Sequence, residues 1–228
     1  MKQDSAAVVV AGGQGKRFGG KVRKQYLKLA GRPVLWWTIQ AFIKSPSVGA
    51  IVLVVPQDDL ETVRKQFARL RTSKAFQVVA GGETRADSVR CGLAALPSTY
   101  RWVAVHDGVR PLITPELIEA VYEGARSHRA AIAACPSKDT VKVATASQTI
   151  ERTLPRETVW LAHTPQAFER SLLEQAHEKG RHLTATDDAF LVEQMGVAVK
   201  LVPSPSDNLK VTVPADLEIA ERLMKRRK

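Results

Sequence analysis

Six apolar, β-rich runs recur along the 228 residues, at 6–11, 50–55, 76–80, 102–106, 130–134 and 197–202, and helix-like segments at 34–43, 59–70, 86–96 and 115–127 separate most of them. That alternation predicts an α/β fold with a mainly parallel sheet. Most of the strand runs are continuously apolar, so helices are expected to cover both faces of the sheet. Ligands of such sheets gather beyond the carboxyl ends of the strands. Polar segments follow the runs at Gly12, Gly81 and Asp107, and these three loops are expected to converge on one crevice.

The first run breaks at once into Gly12-Gly13-Gln14-Gly15-Lys16-Arg17-Phe18-Gly19-Gly20. Glycines let a backbone approach an anion closely and aim several N–H groups at it, while Lys16, Arg17 and the later Lys24 add positive charge. A phosphorylated ligand is expected there. Gly15-Lys16 is followed by Arg17 rather than a hydroxyl residue, so the loop is not a Walker A loop; counting from Gly13 and Gly15 puts Phe18 where a dinucleotide fingerprint needs its third glycine.

The excess of 34 basic over 23 acidic residues, a net charge of +11, favours anionic partners without naming them. Lys16, Arg17, Lys21, Arg23, Lys24 and Lys28 crowd the opening loop and its sequel, a pattern suited to a phosphate-rich small ligand. The two cysteines, Cys91 and Cys135, have neither zinc spacing nor the density of a disulfide framework. A reducing compartment fits. No cleavable leader pattern is visible and no apolar stretch approaches the ~20 residues needed to cross a membrane, so a cytoplasmic protein is expected.

Residues 1–228 read as one domain, with one departure at 137–160. Alternating strand-like pieces at 140–145 and 149–154 flank a polar turn there and lack the apolar length of core strands. A protruding β-hairpin arm is expected, and an arm of that kind needs another surface, such as a second subunit, to pack against.

Further polar clusters follow the strand runs. Gly81-Gly82-Glu83-Thr84-Arg85-Ala86-Asp87-Ser88 ends a strand and opens a helix, which exposes N–H groups and hydroxyls for reading a base or sugar, or else makes a plain turn with Thr84 as the cap. His106-Asp107-Gly108-Val109-Arg110-Pro111 puts an acid at a strand terminus, where it can position magnesium or cap the next turn, and Arg110 can neutralise phosphate. His106 reads as a packed histidine rather than a base. Asp139, Thr140, Lys142, Arg156, His163-Thr164-Pro165-Gln166 and Asp207-Asn208-Leu209-Lys210-Val211-Thr212 complete the set. With no nucleophile triad and no histidine-rich metal set, the chemistry suggested is phosphate positioning and charge neutralisation.

Taken in order, Ala11 to Arg17, Lys24-Gln25-Tyr26, Gly81-Gly82 with Arg85-Ala86-Asp87-Ser88, His106 to Pro111, Thr164-Pro165-Gln166 and Asp207 to Thr212 closely resemble the 2-C-methyl-D-erythritol 4-phosphate cytidylyltransferases over nearly the whole chain. The resemblance implies a Rossmann-like nucleotidyltransferase fold with the arm at 137–160. It implies the reaction of CTP with methylerythritol phosphate to CDP-methylerythritol and pyrophosphate in non-mevalonate isoprenoid synthesis, with Mg2+. By position, Arg17 and Lys24 would stabilise charge on the α-phosphate and leaving pyrophosphate, and Arg156 and Lys210 would position the methylerythritol phosphate. Gly82 and Ser88 would contact the cytidine, Asp107 would lie by ribose and metal, and Ala11, Gly12, Gly13, Gly15 and Gly108 would line the nucleotide. Arg110, Thr140, Lys142, Thr164 and Thr186 would touch the substrates. The family's interlocked homodimer implies that Thr140, Lys142 and Arg156 complete the partner's site.

Two other functions compete. Ala11-Gly12-Gly13 and the Val before Arg110 also occur in ribitol-5-phosphate cytidylyltransferases. A non-catalytic, basic nucleic-acid-binding module would explain the charge, but it calls for aromatics interleaved with a basic stripe, and 6% aromatic content offers none.

Overall fold

A computed structural model describes residues 3–13 and 23–227, so Gly15, Lys16, Arg17 and Lys21 lie outside the described residues. β1 (Ser5–Val10) leads to a small antiparallel ribbon of β2 (Lys28–Leu29) and β3 (Arg32–Pro33). Next come α1 (Val34–Lys44), β4 (Val48–Val55), α2 (Leu60–Phe67), β5 (Ala75–Ala80), α3 (Arg85–Ala95), β6 (Trp102–Asp107), α4 (Pro115–His128) and β7 (Ala130–Pro136). The second half adds a hairpin of β8 (Lys142–Ala144) and β9 (Ile150–Thr153), then β10 (Trp160–Glu169), α5 (Arg170–Lys179), α6 (Asp188–Glu193), β11 (Lys200–Pro203) and α7 (Pro214–Arg226).

The central sheet has seven strands in the order β11-β7-β10-β6-β1-β4-β5. β1 runs parallel to β4 and β6, β4 to β5, and β11 to β7; β10 alone is reversed, antiparallel to both β6 and β7. The mainly parallel α/β sheet expected from the sequence is therefore present, with one inserted strand that the apolar runs did not announce. Pro165 explains the omission: proline donates no ladder hydrogen bond and sits in sheets mostly at edges or irregularities. Here the register with β7 shifts between Ala162 and Gln166, and Pro165 falls inside that break.

Every residue of β1 and β4 is buried, as strands covered on both faces must be. Alternate side chains divide between two layers. Ala7, Val9 and Ala11 pack with Leu35, Ile39 and Phe42 of α1, Val63 and Phe67 of α2, and Ile118, Val121 and Tyr122 of α4. Ala6, Val8 and Val10 pack with Val89 and Leu93 of α3, Leu172 and Leu173 of α5, and Leu191 and Val192 of α6. Burying each such side chain contributes roughly 1.5–3 kcal/mol, which is why the sheet rather than the loops fixes the architecture. α7 packs Ala220 and Met224 onto a third cluster with Leu29, Val34, Leu112 and Val211.

Other boundaries shift. The run at 197–202 becomes strand only from Lys200; Val197 and Val199 pack from the preceding loop onto the α3 and α5 side of the sheet. The segment at 59–70 is helical over Leu60–Phe67, and the arm strands shorten to Lys142–Ala144 and Ile150–Thr153. Those two form a separate sheet with β9 exposed throughout.

Candidate active site

Gly12, Gly81 and Asp107 converge as the strand order requires. β1 lies between β4 and β6, and β4 beside β5, so the segments after β1, β5 and β6 open on the same end of the sheet. There they line a cavity of about 600 Å³ with Val10, Ala11, Gly12, Gly13, Lys24, Gly81, Gly82, Arg85, Ser88, Asp107 and Lys210 among its walls. A second cavity of about 230 Å³ shares Arg85, Asp107 and Lys210 with the first and continues to Arg110, His163, Thr164, Gln166 and Thr186. Two compartments thus meet at one cationic partition.

Gln25 ties the opening loop to the segment that carries Lys24. Its buried amide Nε2 donates to the Ala11 carbonyl at 2.7 Å and to the Gly13 carbonyl at 3.4 Å. The neighbouring Tyr26 hydroxyl donates to Asp59 at 2.7 Å; burial, reinforced by Asp59, raises its pKa. Arg23 is held by ion pairs to Asp58 and Asp59, and both Arg23 and Lys24 stand on the cavity wall.

Asp107 ends β6 and collects charge. Lys210 Nζ stands 2.7 Å from its carboxylate, Arg85 Nε 3.4 Å and Arg110 Nε 3.8 Å. Burial alone would push this carboxyl up, but Arg85 and Lys210, with Arg110 behind them, outweigh it and hold the acid ionised far below the usual carboxylate range. Lys210 is delivered by the segment before α7, which is clamped to the β6 loop: Arg110 Nη1 donates to the Asn208 carbonyl at 2.7 Å and Val211 N to the Val109 carbonyl at 2.8 Å.

The irregularity in β10 places Thr164 against β6. Its hydroxyl accepts from the Asp107 N–H at 3.1 Å and stands 3.1 Å from His106 Nδ1, while Asn208 Nδ2 donates to the Thr164 carbonyl at 2.9 Å. A hydroxyl has one proton to give. The Arg110 carbonyl, 3.5 Å from Nε2, can only accept, so the neutral His106 ring carries its proton on Nε2 and Thr164 gives its hydroxyl proton to Nδ1. Burial accordingly lowers the His106 pKa from 6.5 to about 3, against an opposing pull from Asp107.

A pH dependence follows from that shift. The unfolded chain takes up the His106 proton as pH falls through 6.5, and the folded chain resists until about 3. The stability due to neutral His106 is thus fully present above pH 6.5 and lost progressively below it. In an imidazole NMR titration, the His106 ring should stay neutral at pH 5; a midpoint near 6.5 would overturn the buried hydrogen-bonded placement.

The predicted residues separate into three groups. Ala11, Gly12, Gly13, Lys24, Gly82, Ser88, Asp107 and Lys210 line the larger cavity, and Arg110, Thr164 and Thr186 line the smaller one. Gly108 is buried below them, its carbonyl accepting from the Thr38 hydroxyl at 3.0 Å. Thr140, Lys142 and Arg156 are exposed on or beside the arm, and the walls of neither cavity include a residue from 137–160. Gly15 and Arg17 lie outside the described residues. Thr84 does cap α3: it forms a reciprocal capping box with Asp87, and Ser88 Oγ donates to its carbonyl at 3.0 Å.

Arg85 and His163 line the site without having been assigned roles from sequence. His163 Nδ1 lies 3.1 Å from Ser204 Oγ, and burial aided by Arg110 pushes its pKa down to about 4. The signal for Arg85 was present: an arginine opening a helix directly after the Gly81-Gly82 turn faces the same strand ends as that turn.

This geometry has close counterparts. The family model for 2-C-methyl-D-erythritol 4-phosphate cytidylyltransferase matches residues 5–226. The enzyme of that name from Pelotomaculum thermopropionicum is 45% identical over 225 residues, 97% of this chain and 94% of that protein. A bifunctional enzyme IspD/IspF from Desulforudis audaxviator is 46% identical over 97% of this chain; the chain spans 57% of that longer protein. Among solved structures, a 4-diphosphocytidyl-2C-methyl-D-erythritol synthase from Anaerococcus prevotii superposes with a TM-score of 0.87 at 30% identity, covering 97% of this chain and 98% of the other. The cytidylyltransferase from Thermus thermophilus gives 0.77 at 31%, covering 99% and 100%. A family match spanning both cavities and the whole central sheet leaves one assignment: the chain belongs to the 2-C-methyl-D-erythritol 4-phosphate cytidylyltransferase family.

Proposed function

We propose that this chain transfers the cytidylyl group of CTP to 2-C-methyl-D-erythritol 4-phosphate, giving 4-CDP-2-C-methyl-D-erythritol and pyrophosphate in isoprenoid synthesis. An acceptor phosphate oxygen bonds to the α-phosphorus, the bond from that phosphorus to the β-phosphate breaks, and pyrophosphate leaves. The observation that carries this reading is the large cavity with glycine backbone at 12–13 and 81–82 on its walls, joined through Arg85, Asp107 and Lys210 to a smaller cationic one. A phosphate nucleophile needs no general base, so orientation and charge neutralisation supply the rate.

In this reading Ala11, Gly12, Gly13 and Gly15 carry the phosphates, and Arg17 and Lys24 stabilise the charge that develops on the α-phosphate and pyrophosphate. Gly82 and Ser88 hold the cytidine, and Asp107 and Gly108 lie by the ribose. Lys210, Arg110, Thr164 and Thr186 receive the acceptor, with Thr140, Lys142 and Arg156 supplied by the arm of a second copy. Asp107 suits magnesium: it is ionised, it lines the cavity, and one carboxylate with substrate phosphates is a common donor set for that ion. When bound, the ion neutralises phosphate charge. Free Cys91 and Cys135 accord with a cytoplasmic setting, and among the described residues no helix is long and apolar enough to cross a membrane.

The test is pyrophosphate release from CTP with methylerythritol phosphate, set beside ribitol 5-phosphate as acceptor and ATP, GTP and UTP as donors. Preference for ribitol 5-phosphate would move the chain to the sister activity. No turnover with either acceptor, together with salt-sensitive retention of random oligonucleotides, would replace the enzyme reading by a nucleic-acid-binding one.

Gly82 gives a sharper check. A Cβ built there would lie 2.3 Å from Asp87 Cβ, in the capping box that starts α3. Gly82→Ala must displace the first turn of α3, at a cost of about 1–3 kcal/mol. The expected result is a roughly tenfold rise in KM for CTP, the equivalent of about 1.4 kcal/mol, with the acceptor KM unchanged. Unaltered CTP kinetics would remove Gly82 from the nucleotide site.

A further inference from the structure

Behind the partition between the two cavities, a buried polar chain runs outward from Arg85. Its Nη1 donates to Asp188 Oδ2 at 2.7 Å, while its Nε donates to Asp107 Oδ1 at 3.4 Å. The tighter bond therefore goes to a carboxylate that lines neither cavity. Asp188 is fixed in turn. His177 Nε2 donates to its Oδ1 at 2.9 Å, and Gln166 Oε1 accepts from the Asp188 and Ala189 N–H groups at 3.1 Å each. Gln166 Nε2 also donates to Asp187 at 2.8 Å.

Both His177 and Asp188 are about 1% exposed, so neither is placed to meet substrate. His177 Nδ1 is buried with no hydrogen-bond partner, which leaves the ring's hydrogen bonding to Asp188 alone. An ionised acid in such a place costs desolvation energy that a purely packed core would avoid, and Asp188 stays ionised because Arg85 and His177 outweigh its burial. The guanidinium is a planar fork that keeps its direction when both ends are held. Without Asp188, nothing in this chain of bonds would stop Arg85 from closing fully onto Asp107.

We propose that His177 and Asp188 form a positioning pair that holds the Arg85 guanidinium in the wall between the two cavities and so shapes the acceptor side. The pair joins helix α5, helix α6 and the start of α3 to one atom of the site. The expected kinetic consequence rests on the acceptor assignment above; the placement of Arg85 does not.

The test uses His177→Gln, His177→Asn, His177→Leu and Asp188→Asn in the full chain. Gln places its amide nitrogen where imidazole has Nε2, whereas Asn places it near Nδ1. His177→Gln should keep the acceptor KM within twofold of the original, and His177→Asn, His177→Leu and Asp188→Asn should each raise it at least tenfold with the KM for CTP within twofold. The double variant His177→Leu/Asp188→Asn should be no worse than Asp188→Asn, since residues acting through one contact are not additive. Leu173→Ala, a core truncation on the same helix as His177, should lower Tm without moving either KM.

A second readout is independent of turnover. The Arg85 Nη1–H resonance, from the group that donates to Asp188, should exchange slowly with solvent in the unmodified chain and in His177→Gln, and fast in His177→Leu and Asp188→Asn. If the unmodified chain releases no pyrophosphate, the functional reading fails while this resonance still reports on the pair. If turnover is present but all four variants keep slow Arg85 exchange and the original acceptor KM, the positioning role is overturned. Losses that follow Tm alone, with Leu173→Ala behaving like His177→Leu, overturn it as well.

Discussion

Asp107→Asn is expected to lower kcat/KM for pyrophosphate release by two to three orders of magnitude, about 3–4 kcal/mol of transition-state stabilisation. Asparagine keeps the volume and removes the charge around which Lys210, Arg85 and Arg110 are gathered at 2.7, 3.4 and 3.8 Å. Arg85 retains Asp188, so it stays paired. Arg110 does not: its side chain is 9% exposed, its other recorded bond goes to a backbone carbonyl, and its Nε has no hydrogen-bond partner even with Asp107 present. Leaving a buried cation uncompensated costs about 3 kcal/mol, so urea unfolding should show a fall of that size beside the kinetic loss. Lys210, 41% exposed, can swing to water, and in the proposed function the acceptor then loses its clamp. A rate within tenfold of the original, with stability unchanged, would reduce Asp107 to a cap on the turn after β6.

The sheet was legible in the sequence wherever a signal was local. β1, β4, β6 and β7 announce themselves as apolar runs because each is buried among helices, and the half-buried edge strand β5 still carries a short apolar run of its own; a run of that kind needs no knowledge of its partner. β10 was not legible, because what makes 160–169 a strand is pairing with β6 and β7, and its own sequence is broken by His163-Thr164-Pro165. α5 and α6 lie outside the clear helical periodicities for a similar reason. α6 is six residues long, started by the Asp187 cap and held by Gln166 from across the sheet.

The site divides the same way. Gly12, Gly81 and Asp107 could be expected together, since the strand-end rule needs only their position after apolar runs. The bond from Arg85 to Asp188 spans 103 residues, and neither residue carries a mark of it in the sequence. The order of the motifs recovered the family, but the bond between the first residues of α3 and α6 decides which way the arginine at the centre points.

Arg156 and Lys210 offer the largest reversal of effect. Each variant alone, Arg156→Ala and Lys210→Met, is expected to lose at least a hundredfold in turnover, because in the proposed function each residue supplies a cation to the acceptor phosphate. Yet Arg156 is exposed, donates to the Lys138 carbonyl at 3.3 Å, and belongs to a segment absent from the walls of both cavities of its own chain. The arm that precedes it exposes Ile150 to 66%, and a two-stranded hairpin of this size is marginal without a surface to cover it. If that surface is a second copy, Arg156 reaches its partner's acceptor site and Lys210 serves its own. Mixing the two inactive variants under subunit exchange makes half the dimers mixed, and each mixed dimer regains one intact site of two, about a quarter of the original activity. An Arg156 that acted within its own chain would leave every site in the mixture with one lesion, and the mixture would stay as inactive as its parts.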